Sequence, residues 1–321
     1  MGRRHFLGLC AGLSAAAVLG GCDRAREPLR IASHVWPGYE PMFLARNRGW
    51  LEPERVALLE TPSASVSMAR LASGEVHGAA LTLDEVLRVR SEGVDLRVVL
   101  VFNISAGADM VVARRDITSL GELRGRRIGA EDSALGALML HHLLAHAGLE
   151  RGDVEVASLA INDQEAAWRE GRVDALVTFE PLAGRLLRED ARLLFDSRRL
   201  PDTIFDVLAV RSESCDSHAR AIRHLSASHF RALEYIRRNP VDAGYRMAER
   251  LGVPGEEAMD TFRGLVLPDY RANRRLLAGD GSRVMGAARE IAEVMSAAGI
   301  AVDGGIDGEL IRDRFLAPGA G

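Results

Sequence analysis

The chain has 321 residues, 47% of them apolar and 27% charged, enough for one large or two ordinary globular domains and too apolar for general disorder. All 41 basic residues are arginine, which excludes Schiff-base chemistry, pyridoxal attachment and a phosphate-loop lysine. The formal charge of −4 is spread along the chain, so no basic stripe marks it for nucleic acid.

At the N-terminus, Arg3 and Arg4 precede the uncharged apolar stretch Phe6 to Leu19, too short to span a bilayer and of the length of a signal-peptide core. It ends in Leu19-Gly20-Gly21-Cys22, which resembles a bacterial lipobox. Residues 1–21 are therefore expected to be a cleaved signal peptide, Cys22 to carry the lipid, and residues 22–28 to form a short tether. Arg3-Arg4-His5-Phe6-Leu7 also resembles a twin-arginine export motif, and a plain basic leader fits nearly as well. Asp23, next to the lipidated cysteine, resembles a signal for retention at the inner membrane. With Cys10 removed and Cys22 lipidated, Cys215 stands alone, so no intramolecular disulfide can form and the fold must rest on its core.

From Leu29 onward short β-rich runs alternate with longer amphipathic ones. Strands are expected at Leu29 to Ser33, Val56 to Glu60, Gly78 to Leu81 and Leu96 to Phe102, with helices starting at Pro41, Ser63 and Leu83. A second series of strands follows at Arg127 to Ala130, Val154 to Ser158, Ala175 to Val177 and Arg192 to Phe195. Ser119…Glu122, Thr82…Glu85 and Asn162…Glu165 each place an oxygen acceptor at a helix start and a carboxylate three residues on. After Asp206 to Val210 the pattern is almost wholly helical. The alternation predicts an α/β fold with mainly parallel sheets.

One stretch echoes another. Ala69-Arg-Leu-Ala-Ser-Gly74-Glu-Val-His77-Gly-Ala reads like Ala166-Ala-Trp-Arg-Glu-Gly171-Arg-Val-Asp174-Ala-Leu, each a helix closed by glycine and followed by a buried strand. Two lobes built alike would produce this, and so would the helix–glycine–strand junction common to α/β proteins.

Trp36-Pro37-Gly38-Tyr39-Glu40-Pro41, then Phe43-Leu44-Ala45 and Gly49-Trp50-Leu51, resembles the opening of solute-binding proteins that serve ABC importers for nitrate, sulfonates, taurine and thiamine precursors. Leu71 to Val76, Asp109 to Ala113, Leu120 to Gly129 and Gly171 to Ala175 match that family's pattern in order, so the resemblance covers roughly residues 29 to 250. His77 departs from it, standing where an aspartate equivalent to Asp174 is usual. The resemblance implies a two-lobed α/β periplasmic-binding-protein fold of type II that closes on a ligand. Lobe I would hold residues 29–113 and 206–321 and lobe II residues 114–205, with crossing segments near Asp109 to Ala113 and Asp206 to Val210. The late helices from Ala219 would pack back on lobe I. It also implies no enzyme activity and no cofactor, with an ABC permease and a small-molecule ligand as partners on the periplasmic side of the inner membrane. A ligand sensor for a membrane signalling protein would use the same closure, and a pyrimidine-synthase-like enzyme lacks its cysteine-rich motif here.

Ligands of open α/β sheets sit beyond the carboxyl ends of strands, a rule that selects loops independently of any family. It selects Trp36, Tyr39 and Glu40 after the first strand, Thr82 and Asp84 after the third, Asn103, Ser133, Thr178 with Glu180, and Asp206. Trp36 and Tyr39 offer faces suited to stacking on a planar or cationic group. These loops carry Glu40, Asp84, Glu85, Glu131, Asp132, Glu180 and Asp206 and no arginine, a balance that favours a neutral or cationic nitrogen-bearing ligand. Glu85 is discounted as a capping residue. The competing reading is an anion held by the helix start at Ser133 to Gly136. His142 and His146 lie one helical turn apart without a carboxylate or cysteine at ligand spacing, so no metal site is assigned.

Overall fold

The computed structural model describes residues 27–279, 282–297, 299–300, 305–306 and 308–319. The expected signal peptide and the lipidation site at Cys22 lie outside these residues.

Among the described residues, eleven strands form two sheets. In the first, β1 (Leu29–Ser33), β2 (Val56–Glu60) and β3 (Gly78–Thr82) run parallel, and β10 (Phe205–Arg211) is inserted antiparallel between β3 and β4 (Leu96–Ser105). A two-residue strand β11 (Leu265–Val266) closes the edge beside β4. The second sheet runs in the order β7 (Glu155–Ser158), β6 (Arg127–Ala130), β8 (Ala175–Phe179), β5 (Asp109–Arg114), β9 (Ala191–Asp196). β3 and β4 are buried along their whole length, as strands covered on both faces must be.

Helices α1 (Glu40–Asn47), α2 (Ala64–Ala72) and α3 (Leu83–Ser91) connect the first strands, and α4 (Ala134–Ala147), α5 (Ile161–Arg169) and α6 (Leu182–Glu189) the second series. The C-terminal part adds α7 (Ser212–Ser217), α8 (Ala219–Arg238), α9 (Pro240–Leu251), α10 (Tyr270–Leu276) and α11 (Arg283–Ala297).

The chain passes from the first sheet to the second through residues 106–108 and returns through residues 197–204. Two positions differ from the sequence reading. β5 pairs with β8 and β9, so Asp109 to Ala113 belongs to the second sheet instead of lobe I, and the first crossing is only three residues long. β10 lies wholly in the first sheet, so its crossing precedes Phe205. Helices α8 and α9 pack on α1 as expected, whereas α11 packs on both α3 and α4. There Leu138, Met139 and Leu143 of α4 share an apolar core with Val284, Ala288 and Ile291 of α11, which ties the two halves behind the crossings.

The internal echo is a repeated structural unit. In both halves a helix ends at a glycine of positive φ, Gly74 at 78° and Gly171 at 69°. The strand that follows pairs parallel with the first strand of its half, β3 with β1 and β8 with β6. His77 Nδ1 accepts from the Arg30 backbone N–H at 2.9 Å, and Asp174 Oδ2 accepts from that of Arg127 at 2.9 Å. A neutral imidazole thus does the work of the carboxylate. The predicted cap at Asn162 is displaced: α5 starts two residues earlier with Ala160 at its N-cap, which leaves Asn162 inside the first turn.

Candidate functional site

A cleft of about 320 Å³ opens between the two sheets at the carboxyl ends of their parallel strands. His34, Trp36, Thr82, Glu85 and Asp206 line it from the first sheet and its connections. From the second come Asp109, Glu131, Glu165, Phe179, Glu180 and Arg185. Of the residues selected from sequence, Trp36, Thr82, Glu180 and Asp206 line the cleft, and Tyr39, Glu40, Asp84, Asn103, Ser133 and Thr178 do not.

The supporting layer is a chain of hydrogen bonds. Trp36 Nε1 donates to Asn103 Oδ1 at 3.0 Å, Asn103 Nδ2 donates to Asp206 Oδ2 at 2.7 Å, and the Tyr39 hydroxyl donates to Asp206 Oδ1 at 2.5 Å. Tyr39 is fully buried, edge-on to His34 and Phe102, so it cannot stack on a ligand and instead positions Asp206. Glu40 is likewise turned inward, 1% exposed, and pairs with Arg250 of α9. Arg250 also reaches Glu60 at 3.0 Å and the His34 carbonyl at 3.0 Å, so it anchors the loop that carries Trp36.

Asp84 and Thr178 are buried, and neither Asp84 Oδ2 nor Thr178 Oγ1 has a partner. Ser133 is consumed as the N-cap of α4, its Oγ accepting from Gly136 N–H at 3.0 Å. It faces a separate depression bounded by Arg88 and Arg151.

The expectation of a cleft without arginine is corrected by Arg185, whose guanidinium donates to Glu165 Oε2 at 2.9 Å. Both residues lie past the first turn of their helices, beyond the reach of a rule that selects loops. Glu85 does cap α3, its Oε2 accepting from Thr82 N–H at 2.9 Å, and it lines the cleft as well. Asp109 and Phe179 lie at strand ends, and Phe179 sets its ring edge-on to Trp36 across the cleft at 5.2 Å.

Burial dominates the electrostatics. It pushes the Asp206 carboxyl up to about 8, Asp84 to about 7 and Asp109 to about 6. Glu85, Glu131 and Glu180 are raised by the same cause. The site is an acidic, partly dehydrated pocket with two aromatic rings in its lining, suited to holding a polar molecule. Among the described residues no group of three His, Cys, Asp or Glu side chains could hold a metal ion.

Gly38 keeps this arrangement open. A Cβ there would lie 1.7 Å from Asn103 Oδ1 and 2.8 Å from Trp36 Nε1. Gly38→Ala should therefore break the Trp36–Asn103 hydrogen bond and cost about 1–3 kcal/mol, read as a lower urea midpoint with unchanged slope. An unaltered midpoint would show that the loop has room the structure does not.

A model of the NMT1-like family matches residues 24–251. The taurine-binding periplasmic protein of Escherichia coli (strain K12) is 26% identical over 53% of this chain and 54% of that protein. The putative aliphatic sulfonates-binding protein of the same organism is 26% identical over 64% of this chain and 66% of that one. The chain thus spans about half to two thirds of the length of these curated relatives. Among solved structures, the alkanesulfonate-binding protein SsuA from Xanthomonas axonopodis pv. citri, bound to MOPS, superposes with a TM-score of 0.70 at 21% identity, over 84% of this chain and 93% of that one. With two sheets joined by two crossings, a strand order shared by both halves and a family match that runs from residue 24 into α9, the protein belongs to the NMT1-like family and has the two-lobed periplasmic-binding-protein fold.

Proposed function

We propose that the protein is an extracytoplasmic solute-binding receptor, not an enzyme, that captures a small molecule between its lobes and delivers it to the permease of an ABC importer. In this reading the chain is exported and held by a lipid on Cys22 at the periplasmic face of the bacterial inner membrane. The ligand is a small nitrogen-containing organic molecule or a sulfonate-type compound. The observation that carries the proposal is the cleft itself, walled by both sheets, with the chain crossing between them at residues 106–108 and 197–204. A molecule touching both walls binds the closed form better than the open one and so shifts the population toward closure. Support also comes from the relatives, named as periplasmic binding proteins for taurine and for aliphatic sulfonates.

Solution scattering and thermal melting on the same samples test it. A ligand at one hundred times its Kd should contract the radius of gyration and stabilise the protein by about 2.7 kcal/mol. Chemical turnover of a bound compound without any contraction would overturn the receptor reading in favour of catalysis.

A further inference from the structure

We propose that the cleft selects a ligand with a cationic nitrogen head, an alkylammonium, quaternary ammonium or amidinium group, seated against Asp109, Glu131 and Asp206 beside the Trp36 and Phe179 rings. This names the ligand class for the receptor reading and rests on it. Six carboxylates line the cleft: Glu165 pairs with Arg185, Glu180 accepts from the Gly184 N–H, and there remain those of Glu85, Asp109, Glu131 and Asp206. Their hydrogen-bond donors are neutral: the Thr82 N–H for Glu85, Tyr39 and Asn103 for Asp206, Ser105 for Asp109 and Ser133 for Glu131.

The cations nearby are already engaged. Arg185 is held by Glu165, which Arg169 also binds at 3.0 Å, and Arg250 is held by Glu40 and Glu60 beneath the loop.

A second observation points to the missing component. Asp109 is 3% exposed, lines the cleft, and its Oδ2 has no partner. Asp84 behind it is 1% exposed, and its Oδ2 is also unpartnered. Buried carboxylate oxygens left without donors are costly, and a ligand bearing several N–H groups or a diffuse positive charge supplies what the chain does not. The edge-on pair of Trp36 and Phe179 adds aromatic faces that attract such a head.

An anion has the opposite problem. It would enter among six carboxylates with Arg185 as the counter-charge in the lining, and that guanidinium would have to leave Glu165. The helix starts that could hold an anion are occupied in part by their own caps, Ser63 on the Val66 N–H and Ser133 on the Gly136 N–H.

The test uses the full chain in detergent, with putrescine, choline and benzamidine as cationic probes and ethanesulfonate and nitrate as anionic ones. Thermal melting screens the set, and calorimetry measures Kd for wild type, Asp109→Asn and Glu131→Gln. The expected result is stabilisation by at least one cation, weakened tenfold or more in Asp109→Asn and severalfold in Glu131→Gln, in variants that melt no lower than wild type. Binding of ethanesulfonate or nitrate with no cation bound overturns the cation proposal and leaves the receptor reading standing. Binding of neither class overturns both. A cation that binds both variants as tightly as wild type removes these carboxylates from the site.

Discussion

Arg250→Ala should destabilise the protein by about 3–5 kcal/mol at pH 8, because it strips the counter-charge from a buried carboxylate. Glu40 is 1% exposed, and burial holds its carboxyl up at about 7 even with Arg250 beside it. The guanidinium also binds Glu60, donates to the His34 carbonyl and lies 3.4 Å over the Phe43 ring, so packing is lost along with charge. The pH dependence separates the two losses. A carboxyl whose folded pKa is raised is protonated below that value, so at pH 5 Glu40 is neutral and needs no counter-charge. The cost of Arg250→Ala measured by urea unfolding should therefore shrink toward pH 5, and Glu40→Gln should recover part of it at pH 8. A cost that is equal at both pH values, and that Glu40→Gln does not reduce, would assign the whole effect to packing.

The same pair explains how far the site could be read from sequence. The strands are legible because covered parallel strands are short apolar runs between glycines and caps, as at β1, β3 and β6. β4 runs past Phe102 to Ser105 because Asn103, a residue that ends an apolar run, is satisfied inside the sheet by Trp36 and Asp206. Asp206 lines the cleft because the strand that follows the return crossing starts beside it. Glu40 sits in an equally suitable loop and was assigned to the ligand. What turns it inward is Arg250, on a helix far along the chain that no local pattern connects to it. Tyr39 departs from the stacking expectation for a related reason: β10 places Asp206 against its hydroxyl, and its ring is fully buried. Arg185 and Glu165 escaped because their positions depend on the angle at which α5 and α6 meet the cleft, a tertiary quantity.

In the absence of ligand, stability should fall as pH rises from about 6.5 to 8.5. The ordinary aspartate value is 3.8, whereas Asp206 is raised to about 8, Asp84 to about 7 and Asp109 to about 6, all first by burial. Between those limits the folded chain keeps protons that the unfolded chain releases, so their contribution is complete below about pH 4 and is lost as pH rises through the folded values. Two buried imidazoles work in the opposite direction. His34, lowered to about 4, and His229, lowered to about 3, both chiefly by burial, stay neutral where the unfolded chain is protonated, so they reduce stability as pH falls below 6.5. The unfolded histidines finish losing their protons near pH 7.5, so they offset part of the loss up to that point and the carboxyls act alone above it. With each unit of pH worth about 1.4 kcal/mol per proton, and with Glu40 at about 7 adding to the three aspartates, a loss of about 3 kcal/mol by pH 8.5 is expected from urea midpoints. Asp84→Asn and Asp206→Asn should each flatten the slope, and the double variant should flatten it most, since Asp84 and Asp206 lie within each other's field. A flat or rising wild-type profile over this range would mean that the carboxyls are ionised and solvated in the unliganded cleft. A bound cation should reverse the trend: it favours the ionised carboxyls, so binding releases protons and affinity climbs with pH up to about 8. The groups that face this exchange are Glu85 on α3, Tyr39 before α1, Glu131 after β6 and the Glu165–Arg185 pair on α5 and α6. Calorimetry of the same cation in two buffers of different ionisation enthalpy counts the protons released, and a count of zero between pH 6.5 and 8 would disconnect the acidic cleft from the ligand.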